Sequence, residues 1–311
     1  MHRRITFQGD AVAIRSLADE LTPLEGVIGL AHVRGGSLKP AGDLLQVDVL
    51  NRDADQVLRV ASPRLDQPNA ELTVVVAQTT AIIDRRHTRS IETDADEAMW
   101  EEMESDLRNH GRVSANYVLL MALGGMIAAA AFRLDAISQS IAFVGAAIIA
   151  PGFEPIAKVA QALVLHQAKI CVRALFSLLV GYAVLFGAAF LASAGLSLVD
   201  PGSVHGALAA QPAVKALTHL EAAPLLISAC ASIAGIVMVV SLRDFYVVGP
   251  LMILVLISGV ALTGAALALG EGPIALGALR RVAADLILLI VLGAAVFYWK
   301  QKSFHRRRPL R

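Results

Sequence analysis

The order of apolar and polar positions divides the chain in two. Over the first eighty residues apolar side chains alternate with polar ones or recur at helical spacing; beyond Arg112 they merge into long runs that charges scarcely interrupt. In the first part, Arg4–Gln8 alternates as a strand does, and Ala11–Leu21 follows with the spacing of an amphipathic helix. Gly26–Val33 (GVIGLAHV) and Leu44–Leu50 (LLQVDVL) form a hairpin pattern around the turn-rich stretch Arg34–Asp43. Ala54–Val60 is helical in pattern, and Ala70–Ala77 (AELTVVVA) is the clearest strand in the chain. The order βαββαβ predicts an α+β ferredoxin-like sandwich over residues 1–83, a four-stranded antiparallel sheet with two helices on one face. Such a domain can bind a small regulator or a neighbouring copy of the chain, or it can serve as a structural cap.

Residues 84–113 carry charges of both signs. Thr93-Asp94 followed by Glu97 has the form of a capping box, predicting a helix that runs to His110 and stops at Gly111. Met99, Trp100 and Met103 give it one apolar stripe. The carboxylates Asp94, Asp96, Glu97, Glu101, Glu102 and Glu104 do not have the spacing of a calcium loop and are expected to form a solvated face; no metal site is predicted.

Residues 114–299 predict an all-α polytopic membrane domain, followed by a basic tail at 300–311. Apolar spans are expected at about Ala115–Phe132, Ala136–Leu165, Ala174–Leu196, Ala222–Leu242, Phe245–Leu269 and Val282–Trp299, six crossings in all. The second stands apart. As one helix, Ala136–Leu165 would be about 45 Å long at ~1.5 Å per residue, against a hydrocarbon core of about 30 Å. Pro151 removes an amide donor, Gly152 frees the backbone, and Pro155 follows four residues later, so two half-helices meeting at a hinge are expected. Irregular backbone at membrane depth persists only where protein or a wet cavity satisfies it, and broken helices are where transporters place binding sites. The alternative is a proline kink that only shapes helix packing.

The charges inside the spans need an account, because an ionised side chain at mid-bilayer costs about 2.5–3.5 kcal/mol on insertion scales. Glu154 and Lys158 stand four apart in the favourable order, and Arg281 and Asp285 repeat the pairing. Either Glu154 binds a cation or carries a proton with Lys158 as its switchable partner, or the pair snorkels as structural glue. Asp285, one turn inside its predicted helix, is expected at the interface. A shift of 104 residues superposes Val144-Gly145 on Val248-Gly249, Leu163 on Leu267 and Leu165 on Leu269. A repeat of a three-span unit must be inverted, which is a common transporter plan. Basic residues near the span ends (Arg108, Arg112, Lys169, Arg173, Arg243 and the tail from Lys300) fall on one side if six spans alternate, putting both termini in the cytoplasm; Arg133, Lys215, Arg280 and Arg281 fall on the other.

Composition narrows the partners. The chain is 56% hydrophobic and 17% charged, with a net charge of +1, and has no basic stripe interleaved with aromatics, so nucleic acid is not an expected partner. Its expected partners are a lipid bilayer, a small solute or ion, and a second copy of itself. Cys171 and Cys230 form no CxxC and are expected to be small buried hydrophobes. No apolar stretch of signal-peptide length follows MHRRITFQGD, which keeps the first domain in the cytoplasm. HExxH, GxSxG and paired intramembrane aspartates are missing, so neither an enzyme nor a cofactor is expected.

The run VGAAIIAPGFEPIAKVAQAL, preceded by RVSANYVLLMALGGMIAA and followed by RALFSLLVGYAV, resembles the hydrophobic membrane-protein family called domain of unknown function 389. Ile149-Ala150-Pro151 and Pro155 occupy the places of the family's Ile-Ala-Pro turn and second proline. The resemblance covers about Ser114–Trp299 and implies a membrane domain behind a soluble one. Members often carry a proline-rich counterpart in the second repeat, whereas this chain reads VLISGVAL at Val255–Leu262, leaving Ser258 and Gly259 as its soft point. The resulting expectation is an inner-membrane transporter or channel whose path is lined by Pro151, Gly152, Glu154, Pro155, Lys158, Ser258 and Gly259. The competing expectation is a membrane-anchored sensor or scaffold.

Overall fold

A computed structural model of the chain describes residues 2–65, 71–79, 81–94, 97–200, 208–241 and 245–303, with backbone alone at 106, 108–110 and 245–252. Ala70, Asp96, Pro201, Gly202, Arg243, Arg306, Arg307, Arg308 and Arg311 lie outside the described residues, as do the side chains of Arg108 and Val248. The chain divides into two compact units: the first holds the residues up to Met103 together with the short segment that begins at Val240 and the stretch that begins at Lys300, and the second holds the rest from Glu104 on.

The first unit holds β1 (His2–Gly9), α1 (Ala11–Leu21), β2 (Val27–Leu38), β3 (Ala41–Val49), α2 (Asn51–Leu65) and β4 (Leu72–Thr79). The sheet order is β2-β3-β1-β4, and every neighbouring pair is antiparallel. Alternation along the strands sends one set of side chains inward: Ile5 lies across from Val47 and Val76, and Phe7 across from Leu45 and Val74. Ile14, Leu17 and Leu21 of α1 and Val57, Leu58 and Ala61 of α2 close over that face as one core. Each of these Val, Leu, Ile and Phe side chains taken fully from water contributes about 1.5–3 kcal/mol. Helix α1 starts where it does because the Asp10 carboxylate accepts from the amides of Val12 and Ala13 at 2.9 and 3.0 Å.

The hairpin is longer than its sequence pattern predicts. Its strands run to Leu38 and from Ala41, and Arg34–Gly36 are absorbed as an irregularity between Val33 and Ser37. Asp43 holds this irregularity: one oxygen accepts from the Gly35 amide at 2.8 Å and the other meets His32 Nε2 at 2.7 Å. The Gly35 amide, and after it His32, holds the Asp43 carboxyl below the usual range.

The charged stretch corrects one expectation. Asp94 opens no helix of its own; it accepts from the backbone amides of Asn51 (2.7 Å) and Arg52 (3.2 Å) and so caps the start of α2, while also meeting His2 Nδ1 at 2.9 Å. A short α3 (Thr88–Glu92) precedes it, and the predicted helix begins six residues later as α4 (Trp100–His110). There the Glu102 carboxylate accepts from the Met99 amide at 3.3 Å, a capping contact five residues beyond the one read from the sequence. Met99, Trp100 and Met103 are buried as the stripe predicts. Arg3 is fully buried 2.9 Å from Glu102, and removal from water pushes the guanidinium down and the carboxyl up despite their mutual attraction. Glu97 pairs with Lys300, and the Ala98 amide donates to the Val240 carbonyl.

The second unit is helical: α5 (Ala115–Ala131), α6 (Ala136–Ile149), α7 (Phe153–Val164), α8 (Ala168–Val199), a 3-10 turn at Leu208–Ala210, α9 (Pro212–Thr218), α10 (Ala222–Val240), α11 (Phe245–Ala268) and α12 (Gly272–Ser303). Among the described residues three helices, α8, α10 and α12, are long and apolar enough to cross a membrane, and the bent pair α6–α7 makes a fourth. Helix α5 and the stretch Ile253–Ala268 of α11 are shorter apolar helices.

Small residues set the closest approaches. A Cβ on Gly125 would run into the Leu185 carbonyl oxygen, and one on Gly124 would lie 2.7 Å from the Ala150 Cβ. Arg133 reaches from the α5–α6 link to the carbonyls of Ser193, Leu196 and Asp200 and to the Ser197 hydroxyl (2.8 Å), satisfying the end of α8. Cys171 is half-buried and Cys230 exposed, so the expectation of buried thiols does not hold for Cys230.

Helices α7 and α11 end alike. After α7 the Leu165, His166 and Gln167 amides donate to the Gln161, Leu163 and Ala162 carbonyls; after α11 the Leu269, Gly270 and Glu271 amides donate to those of Ala265, Leu267 and Ala266. The pivots, His166 at φ 56° and Gly270 at φ 77°, are both left-handed.

Candidate functional site

The break between α6 and α7 follows from Ala150-Pro151-Gly152. A residue before proline is driven out of the helical region, and Ala150 is extended, at φ −81° and ψ 115°. The Gly152 amide turns back to the Ala150 carbonyl at 2.8 Å, and α7 then leaves at 55° to α6. Pro155 adds no second break. It is the third residue of α7, within the first turn, where a missing amide costs nothing. Gly152 caps α7 without a side-chain hydrogen bond.

The wall around the break comes from three other helices. A Cβ on Gly152 would stand 2.9 Å from the Tyr182 hydroxyl of α8 and 3.2 and 3.3 Å from the side-chain tips of Ile253 and Ile257 of α11. Gly124 of α5 faces Ala146 and Ala150. The Tyr182 hydroxyl is buried and has no hydrogen-bond partner among the described residues. Glu154 is half-buried in the first turn of α7, with its Oε2 taken out of solvent. One turn on, Lys158 borders a cavity of about 270 Å³, with Glu104, Gly111, Arg112, Ile170, Arg173 and Ser177 around the rest of its wall. The chain reaches Pro155 closely at Gly111, whose Cβ would lie 3.3 Å from the proline nitrogen. Tyr117 ties α5 to α8 by donating to the Ser177 carbonyl at 3.0 Å.

The remaining expected site residues separate from this group. Helix α11 runs unbroken through Ser258 and Gly259, so the predicted soft point is not a hinge. The Ser258 hydroxyl donates back to the Leu254 carbonyl at 2.5 Å, and Gly259 is where α12 approaches, its Cβ position lying 2.6 Å from Val282 Cγ2. Arg281 and Asp285 are enclosed by protein. Helix α12 begins at Gly272, ten residues earlier than the apolar pattern predicts, which puts Asp285 about 20 Å along it at ~1.5 Å per residue. Both are buried, 1% and 4% exposed. Arg281 Nε meets Asp285 Oδ2 at 2.7 Å, while its Nη atoms donate to the His219 carbonyl (3.3 Å) and the Ser228 hydroxyl (3.2 Å). Asp285 Oδ1 has no partner among the described residues.

Sequence reasoning missed Tyr182, Arg112 and Arg173 as neighbours of the break. The available signal was a tyrosine, with its polar tip, in an otherwise apolar run, and two arginines that orientation counting had already absorbed. Among the described residues no group of three or more His, Cys, Asp or Glu stands together as a metal site would require.

A small antiparallel sheet followed by a helical unit with three to four spanning-length apolar helices is compatible with a membrane protein. Residues 147–291, from the end of α6 well into α12, match the family described as Domain of unknown function (DUF389), in agreement with the resemblance read from the Ile-Ala-Pro turn. No curated protein and no solved structure matches the chain.

Proposed function

We propose that this is a multi-pass protein of the cytoplasmic (inner) membrane, both termini inside, that passes a small solute or ion along a path beside the Pro151–Pro155 break. The observation that carries the reading is the broken helix itself, whose second half opens without a side-chain cap, carries Glu154 in its first turn and has a buried, unpartnered Tyr182 hydroxyl against Gly152. A helix end left uncapped beside a lone polar atom is the arrangement by which discontinuous helices hold ions and polar substrates. Helices α5 and α11 complete six crossings.

The inverted repeat belongs to the same proposal. Under the shift of 104 residues α8 falls on α12, both 32 residues long, and the turn after α7 falls bond for bond on the turn after α11. The N-terminal unit is a ferredoxin-like sandwich on this reading, which its βαββαβ order and its sheet order β2-β3-β1-β4 support. No enzymatic role is assigned.

The test is counterflow by purified protein in liposomes, screened against small ions and solutes. Glu154→Gln should abolish flux of whichever substrate the native protein moves; undiminished flux rejects the path. A second reading, a membrane-anchored sensor, draws on the outer face of the sheet, where Val33 and Val75 are half exposed. A metabolite or partner that binds the full chain through that face, with no flux, would favour it.

A further inference from the structure

We propose that the helical unit carries a pair of sites for a phosphate-sized oxyanion, one in each half. The first is the cavity beside Lys158. Its wall receives Arg112 from the segment leading into α5, Lys158 from α7 and Arg173 from α8, against a single carboxylate, Glu104. Glu154, one turn before Lys158, brings the local count to three cations against two anions. Among the described residues the Arg112 and Arg173 guanidinium groups make no side-chain hydrogen bond or ion pair; Arg173 is bonded only through its backbone, where its carbonyl accepts from the Ser177 hydroxyl at 3.1 Å. Each guanidinium holds five donors in a fixed fork that matches an oxyanion's geometry, and two of them beside an ammonium make a site for one. At about 270 Å³ the cavity falls below the range of about 300–1,000 Å³ typical of drug-sized ligands, but it holds a phosphate group with some of its water.

The second cavity, about 470 Å³, has Lys215, His219 and Arg280 in its wall beside Thr218 and Gly277, and no carboxylate among its lining residues. The two cavities correspond. A shift of 104 residues carries Gly111 to Lys215, Ile170 to Ile274 and Arg173 to Gly277, and all six of these residues line the respective cavities. Each cavity therefore lies between the start of a 32-residue helix and the segment leading into the helix that opens its half. The cations, however, do not correspond: Arg173 aligns with a glycine and Lys158 with Leu262. Equivalent places have acquired the same charge from different residues, which is what a shared anionic ligand requires and what inherited side chains alone do not produce. That the two sites face opposite sides of a membrane rests on the transport reading above; the binding itself does not.

The experiment is isothermal titration of inorganic phosphate into the full-length protein in phosphatidylcholine nanodiscs, with gel filtration and circular dichroism as fold controls. Two sites are expected. Arg112→Gln with Arg173→Gln should remove one, and Lys215→Gln with Arg280→Gln the other, each by about tenfold or more in affinity, the scale of charge-assisted hydrogen bonds. Arg173→Lys should retain part of it. Repeating the titration in phosphatidylglycerol nanodiscs separates the sources: loss of the phosphate heat there identifies a lipid headgroup as the occupant, and persistence identifies a free anion. The proposal is overturned if phosphate gives no heat in phosphatidylcholine, or if the four-fold variant binds as the native chain does. Flux without phosphate binding would sink this inference alone; phosphate binding without flux would sink the transport reading alone.

Discussion

The buried Arg281–Asp285 pair should be asymmetric when broken. Arg281 has three acceptors: Asp285 at 2.7 Å, the His219 carbonyl at 3.3 Å and the Ser228 hydroxyl at 3.2 Å. Asp285 has one donor, Arg281, because its Oδ1 meets no partner among the described residues. Removing one member of a buried pair costs about 3–5 kcal/mol, mostly through the uncompensated charge left behind. After Asp285→Leu the guanidinium keeps two neutral acceptors, each worth about 1.5–3 kcal/mol to a charged donor, so the loss should sit at the low end of that range. After Arg281→Leu the carboxylate keeps nothing, and the loss should sit at the high end. Replacing both by leucine removes the charges together and should cost less than either single change, since hydrophobic substitutes for a buried pair are often neutral or stabilising. The measurement is a double-mutant cycle from chemical unfolding in detergent micelles, read at the α12 tryptophan, Trp299, in a Trp100→Phe background. Equal single losses, or a double variant less stable than Asp285→Leu, would refute the account of which partner depends on which.

Other consequences follow from contacts already described. Gly125→Val should destabilise the helical unit by about 1–3 kcal/mol, since its Cβ meets the Leu185 backbone, while Gly145→Ala, with nothing within 4 Å, should be neutral or stabilise by up to ~1 kcal/mol; thermal unfolding in detergent compares them. Asp94→Ala removes the cap of α2 and should cost about 1–2 kcal/mol, visible as faster hydrogen exchange across Asn51–Ala54. Because the Asp43 carboxyl is held below its ordinary value near 4, the stability it lends the hairpin is complete above that value and is lost as pH falls through the lower folded one. Exchange of the Gly35 amide should therefore accelerate only in acid, and an acceleration already under way at pH 6 would contradict the assignment.

What could be read from the chain divides along physical lines. Ala11–Leu21 matches its helix residue for residue because an Asp cap and an i, i+3, i+4, i+7 stripe are both local signals. The break at Pro151 was legible for the same reason: proline acts on its own backbone and on the residue before it. Asp94 was misread because a capping side chain carries no mark of which helix it serves, and here it serves one that begins 43 residues earlier. The start of α12 was lost because Arg280 and Arg281 look like loop residues until Asp285 and the His219 carbonyl are seen to neutralise and bind the second of them. Sequence hydropathy scores the bare side chain, and burial in company is a tertiary fact. The cavity beside Lys158 was out of reach altogether, since its cations come from three elements whose meeting no local pattern encodes.

The left-handed pivots at His166 and Gly270 carry a consequence for how this chain can change. Each passes one helix into the next with only three residues between, so the count of residues across it sets the facing of everything downstream. One amino acid inserted there would spin α8 or α12 by about 100° and carry its outward-facing side chains inward. Substitutions can therefore accumulate at these corners far more readily than insertions or deletions.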